Sequence, residues 1–188
     1  MKIPFIPDDA PFSGDQRSYI SGFLAGLHSR TAFGHDANVP ATAAPDAQKT
    51  TQLNILYGTQ TGNAEAVAQD TAKRAQSQGL KAIVAAMDDV TMDAFNAMER
   101  VVVVVSTYGE GEMPDNGELF WEALAASDAP KLNGMQFGVI ALGDTGYDEF
   151  CQAGKLIDTR LEQLGAKRLL ARVDCDIDYE EPAEQWVT

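Results

Sequence analysis

The chain has 188 residues, of which 45% are hydrophobic and 22% are charged. This length and composition are typical of one folded domain with a single core, and the length suits an α/β domain. Its 28 Asp and Glu residues outnumber 14 Lys and Arg residues and give a formal charge of -14, which disfavours nucleic acid and anionic membranes as partners. Two cysteines without CxxC spacing argue against a metal or haem site, and no apolar run or signal-peptide core indicates membrane insertion, so we expect a cytoplasmic protein.

The first fifty residues divide into two segments. Residues 1–30 form an N-terminal amphipathic helix segment in our interpretation, opened by a capping-box pair at Ser13 and Gln16. The apolar stripe of that helix consists of Tyr19, Ile20, Phe23, Leu24 and Leu27. Residues 31–50 are rich in Ala, Pro and Thr and predict a flexible linker. Whether the stripe packs on the folded domain, expected over residues 51–188, or mediates assembly stays open.

The remainder alternates between strand and helix patterns. Apolar runs lie at residues 53–57, 81–87, 100–106, 136–142 and 166–173, and helical patterns at 63–78, 91–98, 116–126 and 148–164. The run "VVVVV" at residues 101–105 requires cover on both faces, which favours a central parallel strand between two helix layers. The pattern therefore predicts an α/β doubly wound parallel sheet. The ending "DYEEPAEQWVT" allows only a short, marginal helix, and we expect the chain to be excised from a longer polypeptide.

The first chemically informative segment is "YGTQTGNAE", residues 57–65, after the first predicted strand. Gly58 and Gly62 permit a tight turn, while hydroxyl groups and the N–H groups of the following helix can donate to phosphate oxygens. The segment has neither a Walker lysine nor a G-x-G-x-x-G pattern. It therefore favours a phosphate monoester, held without a cation by hydroxyls, amides and the helix dipole. The alternative is a Gly-rich connection with a Thr N-cap.

Two further segments follow predicted strands: "STYGEGEMPDN" at residues 106–116 and "LGDTGYDEFC" at residues 142–151. The carboxyl ends of parallel strands meet at one sheet edge, so Tyr108 and Tyr147 are placed to sandwich a planar ring. Alternatively, each is an ordinary amphipathic surface tyrosine.

Residues 53–186 resemble the flavodoxin-like FMN domain of the diflavin reductases. The resemblance rests on the combination of three motifs, "TQTGNAE", "STYGEGE.PDN" and "LGDTGYDEFC". The resemblance implies a five-stranded sheet of order 2-1-3-4-5 with helices on both faces, and FMN as cofactor. It places the phosphate on the first segment and the ring between Tyr108 and Tyr147. The implied FMN-binding residues are Thr59, Gln60, Thr61, Gly62, Asn63, Ala64, Ser106, Thr107, Tyr108, Gly109, Leu142, Gly143, Asp144, Thr145, Gly146, Tyr147, Asp148, Glu149, Phe150 and Cys151.

Within that family, "FSGDQRSYISGFLAGL" and "CQAGKLIDTRLEQLGAKRLLARVDCDIDYE" resemble the flavoprotein subunit of NADPH-dependent assimilatory sulfite reductase. The resemblance implies electron relay from an FAD/NADPH-binding module, normally in the same longer chain, to a haemoprotein acceptor, the sulfite reductase haemoprotein. No catalytic side chain and no metal are expected, because the flavin carries the chemistry. This chain alone should transfer electrons without oxidising NADPH efficiently.

Three alternatives remain beside this interpretation. The first is the FMN domain of a cytochrome P450 reductase-type enzyme, and the second is a stand-alone flavodoxin-type carrier. The third is a non-flavin binding or receiver module on the same scaffold, disfavoured because "YGTQTG" and "STYGEG" stand where a receiver needs aspartates. The acidic runs at residues 109–112 and 174–181 either steer a basic partner or are simply solvated loops.

Individual residues carry four further expectations. Acidic residues at the rim, such as Glu110, Glu112 and Asp148, would lower the potential of a bound flavin. Gly109 would adjust its backbone when flavin N5 changes protonation. Cys151 and Cys175 are expected to be packing residues rather than redox thiols. Three residues are expected in the core: Phe120, Trp121 and Leu124.

Overall fold

The structure is a computed structural model that describes residues 51–187. The N-terminal helix segment expected at residues 1–30 and the linker expected at 31–50 lie outside the described residues. None of the helices within residues 51–187 is long and apolar enough to cross a membrane.

Strands and helices alternate as the sequence predicts. The strands are β1 (Gln52–Gly58), β2 (Lys81–Ala86), β3 (Arg100–Ser106), β4 (Gln136–Leu142), β5 (Lys167–Arg168) and β6 (Val173–Cys175). The helices are α1 (Asn63–Ser77), α2 (Met92–Asn96), α3 (Glu118–Ala125), α4 (Gln152–Gln163) and α5 (Glu180–Val187). The strands pair in parallel in the order β2-β1-β3-β4-β5, and β6 also pairs with β4. The expected doubly wound, flavodoxin-like topology is confirmed.

Strand β3 shows why the sheet needs helices on both faces. All five of its valines, residues 101–105, are buried. Val101, Val103 and Val105 belong to the core that includes Phe120 of α3 and Ile157 of α4. The intervening valines, residues 102 and 104, pack in the opposite core with side chains of α1 and α5. Successive residues of a strand point to opposite faces, so an uninterrupted apolar run fills two cores at once.

The fifth strand differs from the single run expected at residues 166–173. It is divided into β5 and β6, and residues 169–172 between them belong to neither strand, although the N–H of Leu169 still donates to the carbonyl of Phe137 at 2.8 Å. The departure is stabilised by side chains: Trp186 Nε1 donates to the carbonyl oxygen of Ala171 at 2.7 Å, and Arg172 pairs with Asp158 at 3.0 Å. The Trp186 bond gives the Ala171 carbonyl a partner that a continuous ladder would otherwise supply, and the ion pair ties the same stretch to α4.

The C-terminal helix forms although the sequence marks it as marginal. Ala183 of α5 is buried, and the Trp186 ring lies over Gly138, where an added Cβ would sit 2.5 Å from a ring carbon. Glu184 also pairs with Arg74 of α1. Tertiary packing thus stabilises eight residues that would not hold a helix alone.

The expected core of α3 is confirmed for Phe120 and Leu124, which are buried, while Trp121 is half-buried against the same core. Phe120 meets Phe95 edge-to-face, with ring centroids 5.0 Å apart.

Candidate functional site

The three chemically informative loops converge on one open cleft at the carboxyl edge of the sheet. The cleft has a volume of about 480 Å³, within the range of small-molecule sites. It lies where β1 has β2 on one side and β3 on the other, which is the switch point of a doubly wound sheet. The residues expected at the site that line it are Gln60, Thr61, Asn63, Ser106, Thr107, Tyr108, Gly109, Leu142, Gly143, Asp144, Tyr147, Glu149, Phe150 and Cys151.

The first loop presents unused backbone donors. Gly62, at φ 94°, precedes α1 and its N–H donates to Thr59 Oγ1 at 3.0 Å, which closes the turn. Within residues 51–187, no group accepts a hydrogen bond from the backbone N–H groups of Gln60, Thr61 and Asn63. Free N–H groups at the start of a 15-residue helix form an anion-binding cradle.

That loop is held in shape by the segment "PDN" at residues 114–116. Asn116 Oδ1 accepts from the N–H of Thr59 at 2.7 Å. The Gln60 side chain donates to Asp115 Oδ2 at 2.8 Å and accepts from the Asp115 N–H at 3.0 Å. The side-chain amide of Gln60 is therefore engaged with Asp115, whereas its backbone N–H has no acceptor within residues 51–187.

The second loop folds back on itself directly after β3. Tyr108 N–H donates to the carbonyl of Glu112 at 3.0 Å, and Glu112 N–H donates back to the carbonyl of Tyr108 at 2.8 Å. Between them Gly109 and Gly111 have φ of 55° and 122°, a conformation that only glycine adopts readily. This turn leaves the Tyr108 side chain 50% exposed beside the cleft.

Hydrogen bonds from the last residue of β3 and the residue after it fix the base of that loop. Ser106 Oγ donates to the carbonyl of Gly58 at 3.3 Å, and Thr107 N–H donates to the carbonyl of Leu142 at 2.9 Å. Thr107 Oγ1 accepts from the N–H of Ala153 at 3.2 Å. The floor of the cleft is thus bonded across all three loops.

The third loop depends on a close approach at Gly143. A Cβ there would lie 2.7 Å from the backbone nitrogen of Cys151, which adopts a left-handed conformation with φ 56° at the start of α4. Asp144 Oδ1 accepts from the N–H of Gly146 at 2.7 Å, and the Asp144 carbonyl accepts from Tyr147 N–H at 3.1 Å. These bonds leave the Tyr147 side chain 52% exposed beside the same cleft as Tyr108.

The electrostatics of the cleft are negative. Among residues 51–187, no Lys or Arg lines the cleft, whereas Asp144 and Glu149 do. Burial raises the pKa of the Cys151 thiol to about 12 and that of Cys175 to about 11, and the nearby Asp174 carboxylate adds to both shifts. Neither thiol ionises near neutral pH, which agrees with a packing role.

Several residues expected at the site do not line the cleft: Thr59, Gly62, Ala64, Thr145, Gly146 and Asp148. Thr59 and Gly62 shape the turn, and Ala64 is fully buried beneath it. Sequence reasoning missed Ile177 and Tyr179, which line the cleft from the segment after β6. It also assigned no role to Asn116 and Asp115, although "PDN" ends the second informative segment.

The residues present fit FMN. A cleft lined by two half-exposed tyrosines suits a planar aromatic ring, and the unused N–H groups before α1 suit a lone phosphate. Gly143 leaves the cleft wall free of a Cβ that would strike Cys151. These features define a flavodoxin-like flavin domain.

Comparison with known proteins agrees. The family model "Flavodoxin" matches residues 55–186, and the chain belongs to the flavodoxin family, whose cofactor is FMN. Among solved structures, the Streptococcus pneumonia TIGR4 flavodoxin is 33% identical with a TM-score of 0.65, over 73% of this chain and 93% of its own. A mutant of flavodoxin from Pseudomonas aeruginosa is 31% identical with a TM-score of 0.65, over 73% of this chain and 94% of its own.

Longer relatives are similar over almost the whole chain. The sulfite reductase [NADPH] flavoprotein alpha-component of Bacillus subtilis (strain 168) is 41% identical over 174 residues, 92% of this chain. The protein of the same name from Shewanella sp. (strain ANA-3) is 42% identical over 178 residues, 94% of this chain. The chain spans 29% of the length of each. The resemblance to sulfite reductase flavoproteins is confirmed.

Proposed function

We propose that this chain is the electron-transfer FMN domain of an NADPH-dependent sulfite reductase flavoprotein. It would receive electrons from an FAD/NADPH-binding module and deliver them to a haemoprotein, the sulfite-reducing partner. The observation that carries this proposal is the switch-point cleft with two half-exposed tyrosines and free backbone donors. Similarity to sulfite reductase flavoprotein alpha-components supports the choice of acceptor. The cytoplasmic location expected from the sequence stays a prediction.

The first loop would hold the phosphate. The N–H groups of Gln60, Thr61 and Asn63 donate to its oxygens, and the Thr61 hydroxyl adds a side-chain donor. Thr59, Gly62 and Ala64, expected as direct ligands, would act by shaping and supporting this turn. A cation is unnecessary because one monoester carries at most two charges and meets several oriented dipoles.

The second and third loops would hold the ring. Tyr108 and Tyr147 would offer aromatic faces to it, and Leu142, Phe150 and the backbone around Gly143 would supply the rest of the lining on that side. Bound FMN supplies one-electron transfer at a potential that the protein sets. Asp144 and Glu149 line the cleft, and their negative charge disfavours added negative charge on the ring, which lowers that potential.

The acidic rim would guide the partner. Glu110, Glu112, Asp148 and Asp178 lie on the loops around the cleft, and all four are exposed. A basic docking face would be attracted toward the site from which electrons leave. The attraction should weaken as salt shortens the Debye length to about 10 Å at 0.1 M.

The decisive experiment loads the chain with FMN, reduces it photochemically and mixes it with purified sulfite reductase haemoprotein. We expect haem reduction that slows several-fold between about 20 and 200 mM salt. A chain that binds no FMN refutes the flavin site. A chain that binds FMN but reduces the haemoprotein no faster than free FMN refutes the proposed acceptor.

A second candidate is a stand-alone flavodoxin-type carrier, since the chain covers 93% of a flavodoxin of known structure. The same mixing experiment is repeated with a cytochrome P450 in place of the sulfite reductase haemoprotein, and the two rates of haem reduction are compared. This comparison separates the sulfite reductase interpretation from the stand-alone carrier and from the P450 reductase-type alternative. A flavin domain specific for sulfite reduction should reduce the sulfite reductase haemoprotein faster than it reduces the cytochrome P450. The receiver alternative is not retained, because the chain belongs to the flavodoxin family.

A further inference from the structure

The acidic segment after β6 contains one carboxylate that differs from its neighbours. Asp176 Oδ1 accepts from the N–H of Thr145 at 3.0 Å and from the N–H of Ile177 at 2.8 Å. Asp176 Oδ2 accepts from the Thr145 hydroxyl at 2.6 Å. One side chain thus bonds the third loop to the segment after β6, residues that lie 31 positions apart in the sequence.

Both segments joined by Asp176 form walls of the cleft. Tyr147 and Phe150 line it from the third loop, and Ile177 and Tyr179 line it from the segment after β6. Ile177 is 69% exposed, so core packing does not hold it in place. At the base of the same junction, the N–H of Gly143 donates to the carbonyl of Cys175 at 2.9 Å. Asp176 extends that junction outward to the rim.

The Asp176 carboxylate is in the charge state that favours these three hydrogen bonds. Hydrogen bonds from the Thr145 hydroxyl, the Thr145 N–H and the Ile177 N–H hold the pKa of Asp176 below its usual range. The group is therefore ionised at neutral pH and accepts all three bonds. The side chain of Asp178, two residues later, accepts no hydrogen bond from residues 51–187. Asp176 and Asp178 carry equal charge and differ in contacts.

We propose that Asp176 is a positioning residue of the FMN cleft, a clasp that joins the Tyr147 loop to the Ile177–Tyr179 segment. The proposal rests on the proposed flavin site and adds a wall to it. With the clasp closed, both walls are ordered before the cofactor arrives, so binding loses less conformational entropy. Without it, Ile177 and Tyr147 must be ordered at the expense of FMN affinity.

The direction in which FMN affinity changes when Asp176 is replaced distinguishes a clasp from a residue that acts only through its charge. FMN is an anion, so removing a negative charge from the rim should strengthen its binding on electrostatic grounds. A clasp predicts the opposite for Asp176→Ala and the electrostatic result for Asp178→Ala. Asp176→Asn sharpens the contrast, because its amide oxygen keeps both N–H bonds at the Oδ1 position and its amide nitrogen donates to the Thr145 hydroxyl oxygen.

The experiment measures FMN dissociation constants of the apoprotein by quenching of flavin fluorescence. We expect Asp176→Ala to bind FMN about tenfold more weakly, with Asp176→Asn and Asp178→Ala within about twofold of the unchanged chain. Thr145→Val, which removes one bond, should cost about threefold, and Thr145→Ser should restore it. Thr145→Val should add little in the Asp176→Ala background, because the two residues act through one contact.

The visible circular dichroism of bound FMN provides a second readout of the ring's surroundings, and it should change in Asp176→Ala but not in Asp178→Ala. Asp176→Ala matching Asp178→Ala in affinity overturns the clasp, as does Asp176→Asn binding as weakly as Asp176→Ala. If Asp176→Ala unfolds, the Thr145→Val and Thr145→Ser pair decides by the same criteria. Failure of the unchanged chain to bind FMN refutes the proposed function instead.

Discussion

Replacing Gly143 with alanine tests the geometry of the cleft most directly. The new Cβ would lie 2.7 Å from Cys151 N, 3.0 Å from Cys151 Sγ and 3.0 Å from a Phe150 ring carbon. Ordinary contacts begin near 3.5 Å, so the third loop must move by about 0.8 Å away from β4. The nearest atom belongs to the backbone and cannot rotate away.

Overpacking of this kind costs about 1–3 kcal/mol. For a domain of this size, that loss corresponds to a fall in melting temperature of about 3–10 °C. The displacement also shifts the wall that carries Tyr147, so we expect FMN to bind more than about tenfold less tightly.

The control is Gly134→Ala, because no atom lies within 4 Å of a Cβ at that position. Thermal unfolding of the apoproteins and FMN titration measure the two effects. If Gly143→Ala has the same FMN affinity and the same melting temperature as Gly134→Ala, the close approach on which the site depends is refuted.

Three other predictions concern the same cleft. Asn116→Ala removes the acceptor for Thr59 N–H, so FMN affinity should fall about tenfold by fluorescence titration, whereas Asn116→Asp keeps the turn and is expected to lose affinity only through its charge. Gly109→Ala places a side chain at φ 55°, which costs about 1 kcal/mol, and potentiometry should show an altered gap between the two one-electron potentials of bound FMN. Because the pKa of Cys151 is raised to about 12, the buried thiol should stay unreactive toward a disulfide reagent at pH 8 in the native protein and react after unfolding; rapid native labelling would contradict this.

The layered sheet, and the meeting of three loops at one edge of it, can be read from the residues along the chain. Strands β3 and β4 occupy the residues expected for them, because five consecutive valines and "QFGVIAL" can be buried only between two helix layers. Gly62, Gly109 and Gly143 stand where a positive φ or a close backbone contact disfavours a larger residue. Burial and turn chemistry are short-range properties, so they can be seen in neighbouring residues.

The tertiary structure alone decided which residues meet across the loops. Thr59 and Asn116 bond across 57 positions, and Thr145 and Asp176 across 31, and no local pattern encodes either pair. The division of the fifth strand and the formation of α5 likewise depend on Trp186, whose partners Gly138 and Ala171 lie elsewhere in the chain. Such contacts depend on the register of packed elements, because their energy exists only after the chain has closed the intervening loops.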